Sequence, residues 1–103
     1  MAAHAPKSLT ASSKRTWKAL VSDYDLSEPH HLDVLRLALE AVDRAEEARA
    51  ALAQHGTTFV DRFGAPRARP EVAVERDSGI RAARLFRELS LDPEYADARV
   101  PRR

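Results

Sequence analysis

The sequence of 103 residues has no cysteine, only three glycines, one tryptophan, two tyrosines and three phenylalanines. Without cysteine, the chain forms neither a disulfide nor a thiolate metal site. With so few aromatic side chains, a core has to be built mainly from leucine, valine and alanine. The length corresponds to one domain, and domains of this size often supplement a small core by oligomerising.

Long hydrophobic runs are also missing. No apolar stretch approaches the roughly 18 residues that indicate a membrane span. The opening MAAHAPKSLTASSKR lacks the apolar centre of a signal peptide. We therefore expect a soluble, cytoplasmic protein without a membrane partner.

Motifs of catalysis and metal binding are absent. His30 and His31 are adjacent, so on a helix their side chains point about 100° apart, while His4 and His55 lie far away in the chain. There is no HExxH motif, no glycine-rich phosphate loop and no paired nucleophile and base. We expect no metal, no cofactor and no enzymatic activity.

Charge is unevenly distributed although the formal net charge is +1. Residues 1–22 hold four cations and no acid, residues 23–47 hold eight acids and two arginines, and residues 48–70 hold four arginines and one acid. Lysine and arginine in such basic stretches contact DNA phosphates, and the alternatives are solubility and subunit contacts. The predicted DNA-binding residues form two patches, Lys14, Arg15 and Lys18 in the first and Arg62, Arg67 and Arg69 in the second.

In the sequence, an acidic stretch lies between these two basic patches. Asp43, Glu46 and Glu47 fall on one side of a predicted long helix. Two interpretations remain open, a contact with a basic partner and a solvated helix face.

Three helices are predicted from apolar periodicity and capping signals. The first runs from about Ser12 to Asp23. The second begins near Glu28, with Ser27 as its cap, and stops at Gly56, where a left-handed backbone is required. The third runs from Pro70 to about Ser90, and its Gly79 indicates close packing or a bend.

The long helix carries two apolar seams, which indicate two neighbours. Either one neighbour belongs to the next subunit, or both belong to the same chain. The first seam consists of Leu32, Leu35, Leu39 and Val42. The predicted oligomer interface consists of the second seam and two residues of the third helix: Val34, Ala38, Ala41, Ala45, Ala48, Leu52, Ile80 and Ala83.

The stretch 56-GTTFVDRFGAPRARP-70 interrupts the helical pattern. A β-prone run precedes a turn in which Gly64 takes positive φ, and Pro66 keeps the returning run from being a central strand. This predicts a β-hairpin over residues 57–69. Because an isolated hairpin is marginal in water, it has to rest on the helices or on neighbouring subunits.

The predicted fold is mainly α and oligomeric. It has a short N-terminal helix, a long helix, a β-hairpin insert, and a third helix that forms an antiparallel helical hairpin with the second. Residues 1–11 are predicted as a flexible basic tail, residues 12–90 as the helical oligomerisation and DNA-binding domain, and residues 91–103 as a second flexible tail.

Three segments together resemble the small terminase subunit of tailed bacteriophages. They are 17-WKALVSDYDLSEPHHLDVLRLALEAVDRAEEARAALAQHG-56, 57-TTFVDRFGAPRARPEVAVERDS-78 and 82-AARLFRELSLDP-93. The shared features are a Trp-bearing first helix, a long helix closed by glycine, a hairpin with a second glycine, and a last helix that starts at proline. Arg69 departs from the family, which often has histidine or asparagine there, so the capping of the last helix stays open.

This resemblance implies a non-enzymatic DNA-packaging factor in the cytoplasm of a bacterial host. Such a subunit assembles into a homo-oligomeric ring, binds double-stranded viral DNA at the packaging site and recruits the large terminase subunit, which is the ATPase and nuclease. Arg99, Arg102 and Arg103 are the predicted large-subunit contact. The alternative is a small helical adaptor that binds only protein; a dimeric regulator would need a recognition helix, for which the sequence gives no signal.

Overall fold

The computed structural model describes residues 3–90. In chain order, they form α1 (Ala11–Asp23), α2 (Pro29–His55), β1 (Thr58–Val60), β2 (Pro66–Ala68) and α3 (Pro70–Glu88). The predicted mainly helical fold with a small antiparallel hairpin is confirmed. The predicted C-terminal tail, with Arg99, Arg102 and Arg103, lies outside the described residues.

Helix α1 begins where Thr10 provides a side-chain cap. The Thr10 hydroxyl accepts a hydrogen bond from the Ser13 amide at 3.2 Å, which satisfies one of the free donors at the helix start. Ser13, Trp17 and Val21 recur every four residues and are buried. The helix therefore rests on the rest of the protein along one narrow face.

Helix α2 begins at Pro29, a residue suited to the first helical position because it has no amide hydrogen to leave unbonded. The predicted cap Ser27 is wrong, since Glu28 takes the capping position and makes no side-chain capping bond. The helix ends as predicted before Gly56, which has φ +81°. The Gly56 amide donates to the Leu52 carbonyl oxygen at 2.8 Å.

Helices α2 and α3 pack side by side and antiparallel. Near the hairpin, Arg49 of α2 contacts Glu75 of α3, with Nε and Oε2 2.9 Å apart. At the opposite end, Leu35 and Leu39 of α2 share a cluster with Leu89, the residue after α3. The two helices are thus the main body of the domain.

The second apolar seam of α2 lies against α3 of the same chain. Ala38, Ala41 and Ala48 are buried in the isolated chain, as are Ser78 and Ala82 of α3. Small side chains on both helices let the two backbones approach closely. These three alanines are therefore not available to a second subunit in this conformation, which corrects that part of the predicted oligomer interface.

The hydrophobic core lies where α1, the start of α2 and the end of α3 meet. Leu35 is 0% exposed and Leu39 is 2% exposed. The buried cluster consists of Leu9, Trp17, Val21, Leu35, Leu39 and Leu89.

The segment before α1 contributes to this core. Leu9 is buried, and the Trp17 indole Nε1 donates to the Ala3 carbonyl oxygen at 3.1 Å. Residues 1–11 are predicted to be a flexible tail, yet the part from Ala3 onward packs against the helices. The packed domain therefore extends beyond its predicted boundary at residue 12.

Gly79 lies in α3 at an exposed position. A Cβ atom built on it would have no neighbour within 4 Å, and its φ is ordinary for a helix. Close packing is therefore not the reason for this glycine, and that interpretation is wrong.

Candidate nucleic-acid interface

The hairpin is organised by the side chain of Asp61. Its Oδ1 accepts hydrogen bonds from the Phe63 amide at 2.8 Å and the Ala65 amide at 3.0 Å. The predicted positive φ of Gly64 is confirmed at +81°, and its amide donates to the Asp61 carbonyl oxygen at 3.0 Å. An aspartate that bonds the backbone two residues on is a common turn device.

Asp61 also neutralises one of the three predicted hairpin arginines. Its Oδ2 lies 3.0 Å from Nε of Arg67. The hydrogen bond from the Ala65 amide, then that from Arg67, and finally that from Phe63 hold the pKa of Asp61 below its ordinary value. The Arg67 charge is therefore partly compensated within the hairpin.

Arg62 and Arg69 contact aromatic rings instead. The Arg62 guanidinium carbon lies 4.9 Å from the Phe63 ring centroid, and that of Arg69 lies 5.9 Å from the Phe59 centroid. Arg69 is half-buried, its Nε has no hydrogen-bond partner, and it caps α3 without a side-chain capping bond. Arg62 is exposed and has no ion pair with any residue from 3 to 90.

Apolar side chains of the hairpin face solvent. Phe63 is 78% exposed, Val60 70% and Phe59 39%. All six strand residues are exposed, so the hairpin is not covered by the helices of its own chain. Support from the chain's own helices, one of the two predicted possibilities, is therefore wrong.

Helix α1 presents the first basic patch. Lys14, Arg15 and Lys18 fall within about 100° of arc beside the buried face, as 100° per residue requires. Arg15 and Lys18 are exposed and Lys14 is half-buried. None of the three forms an ion pair with any residue from 3 to 90.

The two basic patches do not form one surface. Helix α1 packs beside Leu35 and Leu39, whereas the hairpin begins after Gly56, about 25 Å further along α2 at 1.5 Å per residue. A single chain therefore offers two separate basic contacts.

The predicted acidic side of α2 divides into two kinds of residue. Asp43 is engaged internally, because it accepts bonds from the Thr10 amide at 3.0 Å, the Thr10 hydroxyl at 2.9 Å and the Ser13 hydroxyl at 2.5 Å. Glu46 and Glu47 are exposed. Sequence reasoning missed this role of Asp43, since its partners lie about thirty residues earlier in the chain.

The remaining residues of the predicted oligomer interface differ in exposure. Val34, Ala45 and Leu52 are half-buried, Ile80 is 48% exposed and Ala83 is exposed. Ile80 and Ala83 therefore stay accessible to another molecule.

Within residues 3–90, no three histidine or acidic side chains come together as metal ligands do. Over the same residues, every helix is too short or too polar to cross a bilayer. Comparisons with protein-family models, curated proteins and solved structures gave no match to this chain.

Proposed function

We propose that this protein is a non-enzymatic DNA-packaging factor of the small-terminase kind. In this proposal, copies of the chain assemble, bind duplex viral DNA and recruit a large ATPase-nuclease subunit. The resemblance over residues 17–93 supports it, as does the mainly helical fold with its glycine-bounded hairpin. The large-subunit contact at Arg99, Arg102 and Arg103 stays a prediction.

The observation that carries the proposal is the basic face of α1. Lys14, Arg15 and Lys18 lie together and lack carboxylate partners among residues 3–90. The nearby acid Asp43 is occupied by Thr10 and Ser13. Three unpaired cations along one helix face match the phosphate backbone, whose contacts set sequence-independent affinity.

Assembly would make these few contacts effective. Three phosphate contacts per copy bind weakly, but copies joined in one particle bind the same duplex at a high effective concentration. The proposal therefore needs both self-association and a basic α1.

The test replaces Lys14, Arg15 and Lys18 together by glutamine. Each phosphate contact contributes about 0.9 to the slope of log affinity against log salt concentration, so removing three lowers that slope by about 2.7 per bound copy. Binding to a fluorescent duplex, measured by anisotropy over a salt series, gives both the affinity and the slope.

The matched control replaces three exposed arginines of α3, Arg76, Arg84 and Arg87, by glutamine and so removes the same charge elsewhere. The proposal predicts near-normal binding for this control. Equal losses in the two variants would contradict a defined contact on α1, and wild-type protein that fails to bind duplex DNA at low salt would overturn the proposal.

A protein-binding adaptor is the second candidate, and the exposed Val60 and Phe63 favour it. Contiguous exposed apolar side chains mark protein contacts more often than DNA contacts. A gel shift with duplex DNA at low salt separates the two candidates, because the adaptor would leave the duplex unshifted.

A further inference from the structure

Two surfaces have no partner among residues 3–90, the hairpin and a groove beside α1. The groove has a volume of about 960 Å³ and lies between the segment before α1, helix α2 and the middle of α3. Each surface carries features that the other one lacks.

The hairpin offers apolar and basic groups together. In the strand register Val60 lies opposite Pro66 and Thr58 opposite Ala68, and opposite residues share a face of the ribbon. That face is therefore largely apolar, and it is exposed on every residue. Phe63 lies at the turn next to these strands and is 78% exposed, with the Arg62 guanidinium over its ring.

The groove offers the complementary groups. Leu37 and Val42, both half-buried, supply its accessible apolar lining. Glu46 and Glu47 also line it, and both are exposed. An apolar lining beside acidic residues matches a phenylalanine flanked by an arginine.

The other charged residues of the groove are less available to an incoming arginine. Glu40 is bound by Arg36 at 3.2 Å and by the Ser8 hydroxyl at 2.9 Å, and Asp43 is held by Thr10 and Ser13. Arg44 and Arg81 line the groove as well, so its four acids outnumber two cations. Glu46 has only an exposed contact to Arg49 at 3.6 Å, and Glu47 has no partner among residues 3–90.

The hairpin does not occupy the groove of its own chain. Phe63 is 78% exposed, and no hairpin residue lines the groove. The hairpin follows the end of α2, about 15 Å beyond Glu47 along the helix axis. A hairpin that fills the groove therefore comes from another copy of the chain.

We propose that the hairpin of one copy docks into the groove of a second copy, with Phe63 on the apolar lining and Arg62 beside Glu46 and Glu47. The contact joins two different surfaces, so each copy keeps one free hairpin or groove and can add a further neighbour. Such head-to-tail contacts close into rings or extend as filaments. This deepens the self-association on which the proposed function rests, and it requires no DNA.

The test uses two variants that each disable one half of the contact. The hairpin variant carries Arg62→Gln and Phe63→Ser, and the groove variant carries Glu46→Arg and Glu47→Arg. All four positions are exposed, so the helical fold should persist, which circular dichroism verifies. The control variant carries Asp23→Arg and Glu88→Arg, which reverse the charge of two exposed acids outside the groove. It should assemble like the wild type.

Light scattering without DNA gives the expected pattern. The wild type forms an oligomer and each variant alone is monomeric. An equal mixture forms a heterodimer and nothing larger, because only one intact hairpin and one intact groove remain per pair. A monomeric wild type, variants that still assemble, or a mixture that stays monomeric would each overturn the proposal.

Covalent cross-linking detects the contact without relying on the masses from light scattering. Since the chain has no cysteine, the Pro66→Cys and Ala50→Cys variants, at exposed positions beside the two surfaces, keep the contact residues and can be mixed and treated with a short bis-maleimide. We expect cross-linked pairs joining the two variants; failure to cross-link under conditions where the wild type assembles would contradict the contact. Hairpin variants that assemble normally but lose DNA binding would overturn the proposed contact. That result would identify DNA as the partner of the hairpin.

Discussion

The two ends of the helical body are completed in different ways. At one end, α1, the segment before it and the end of α3 enclose Leu35 and Leu39, which are almost wholly buried. At the other end, a two-stranded hairpin leaves Phe63 and Val60 largely in solvent. The first end buries its apolar side chains within one chain, whereas no residue from 3 to 90 covers those of the second.

This difference follows from what each end supplies. Helix α1 contributes Trp17 and Val21 as a third packing layer, while no element within residues 3–90 covers the hairpin strands. Fully burying one phenylalanine is worth about 1.5–3 kcal/mol. A partner that buried Phe63 would therefore gain this free energy on binding. For this reason we propose the subunit contact at the hairpin.

The largest expected effect concerns the enclosed end. Leu35→Ala leaves a cavity at a site with 0% exposure and should lower the free energy of unfolding by about 2–5 kcal/mol. Val60→Ala, at 70% exposure, should change it by less than about 0.5 kcal/mol in the monomer. Urea unfolding followed by circular dichroism at one protein concentration measures both free energies of unfolding. Similar losses in the two variants would contradict the difference between the two ends.

A smaller effect is expected where Asp43 anchors α1. Asp43→Ala removes the acceptor of three hydrogen bonds from Thr10 and Ser13 and should cost about 1–3 kcal/mol. Hydrogen exchange should show the loss of protection concentrated in α1. Glu88→Ala, at an exposed position without a partner among residues 3–90, is the control, and an equal cost there would contradict the anchoring role.

Two glycines should respond in opposite directions to the same substitution. Gly56 has φ +81° and ψ 173°, a region almost reserved for glycine, so Gly56→Ala should cost about 1–3 kcal/mol. Gly79 lies in a regular helix with open space around it, so Gly79→Ala should stabilise by up to about 1 kcal/mol. Thermal unfolding of the two variants decides this, and a shift of the same sign in both would refute it.

The smallest expected effect is local to the hairpin and depends on pH. The pKa of Asp61 is lowered in the folded state. The ionised carboxylate therefore stabilises the hairpin fully above about pH 4, near the ordinary pKa of an aspartate. This stabilisation is lost as the pH falls through the lowered pKa. The amide chemical shifts of Gly64 and Ala65 should report this transition, and Asp61→Asn should abolish it; a variant with an unchanged transition would contradict the assignment.

The hairpin and the helix boundaries could be predicted because their signals are local. Gly56 and Gly64 permit a positive φ and Pro70 fixes φ, each at its own position, and the structure has the predicted helix end, positive φ and helix start there. Two seams on α2 were also readable from spacing alone. The helices that pack on these seams could not be predicted. The spacing of apolar residues on α2 is the same whether its neighbour is α3 of its own chain or a helix of another chain.

The contacts that hold α1 were not predictable from local pattern. Leu9 is a single leucine in a polar stretch, and its burial depends on where α2 and α3 meet. Asp43 looked like part of a solvated acidic side, but it reaches Thr10 across 33 residues. The basic face of α1, by contrast, follows from residue spacing alone; Arg15 and Lys18 are exposed and Lys14 is half-buried, and its DNA contact stays a prediction.

The most direct test of the central claim measures hydrogen exchange at the hairpin as a function of protein concentration. The amides of Asp61 and Arg69 bond within the hairpin, to Ala65 and Thr57, and amides of α1 near Val21, outside the groove, serve as the internal reference. If a second copy completes the hairpin, its protection should rise with concentration while the reference stays constant. Hairpin protection that is the same in dilute and concentrated protein would contradict the claim.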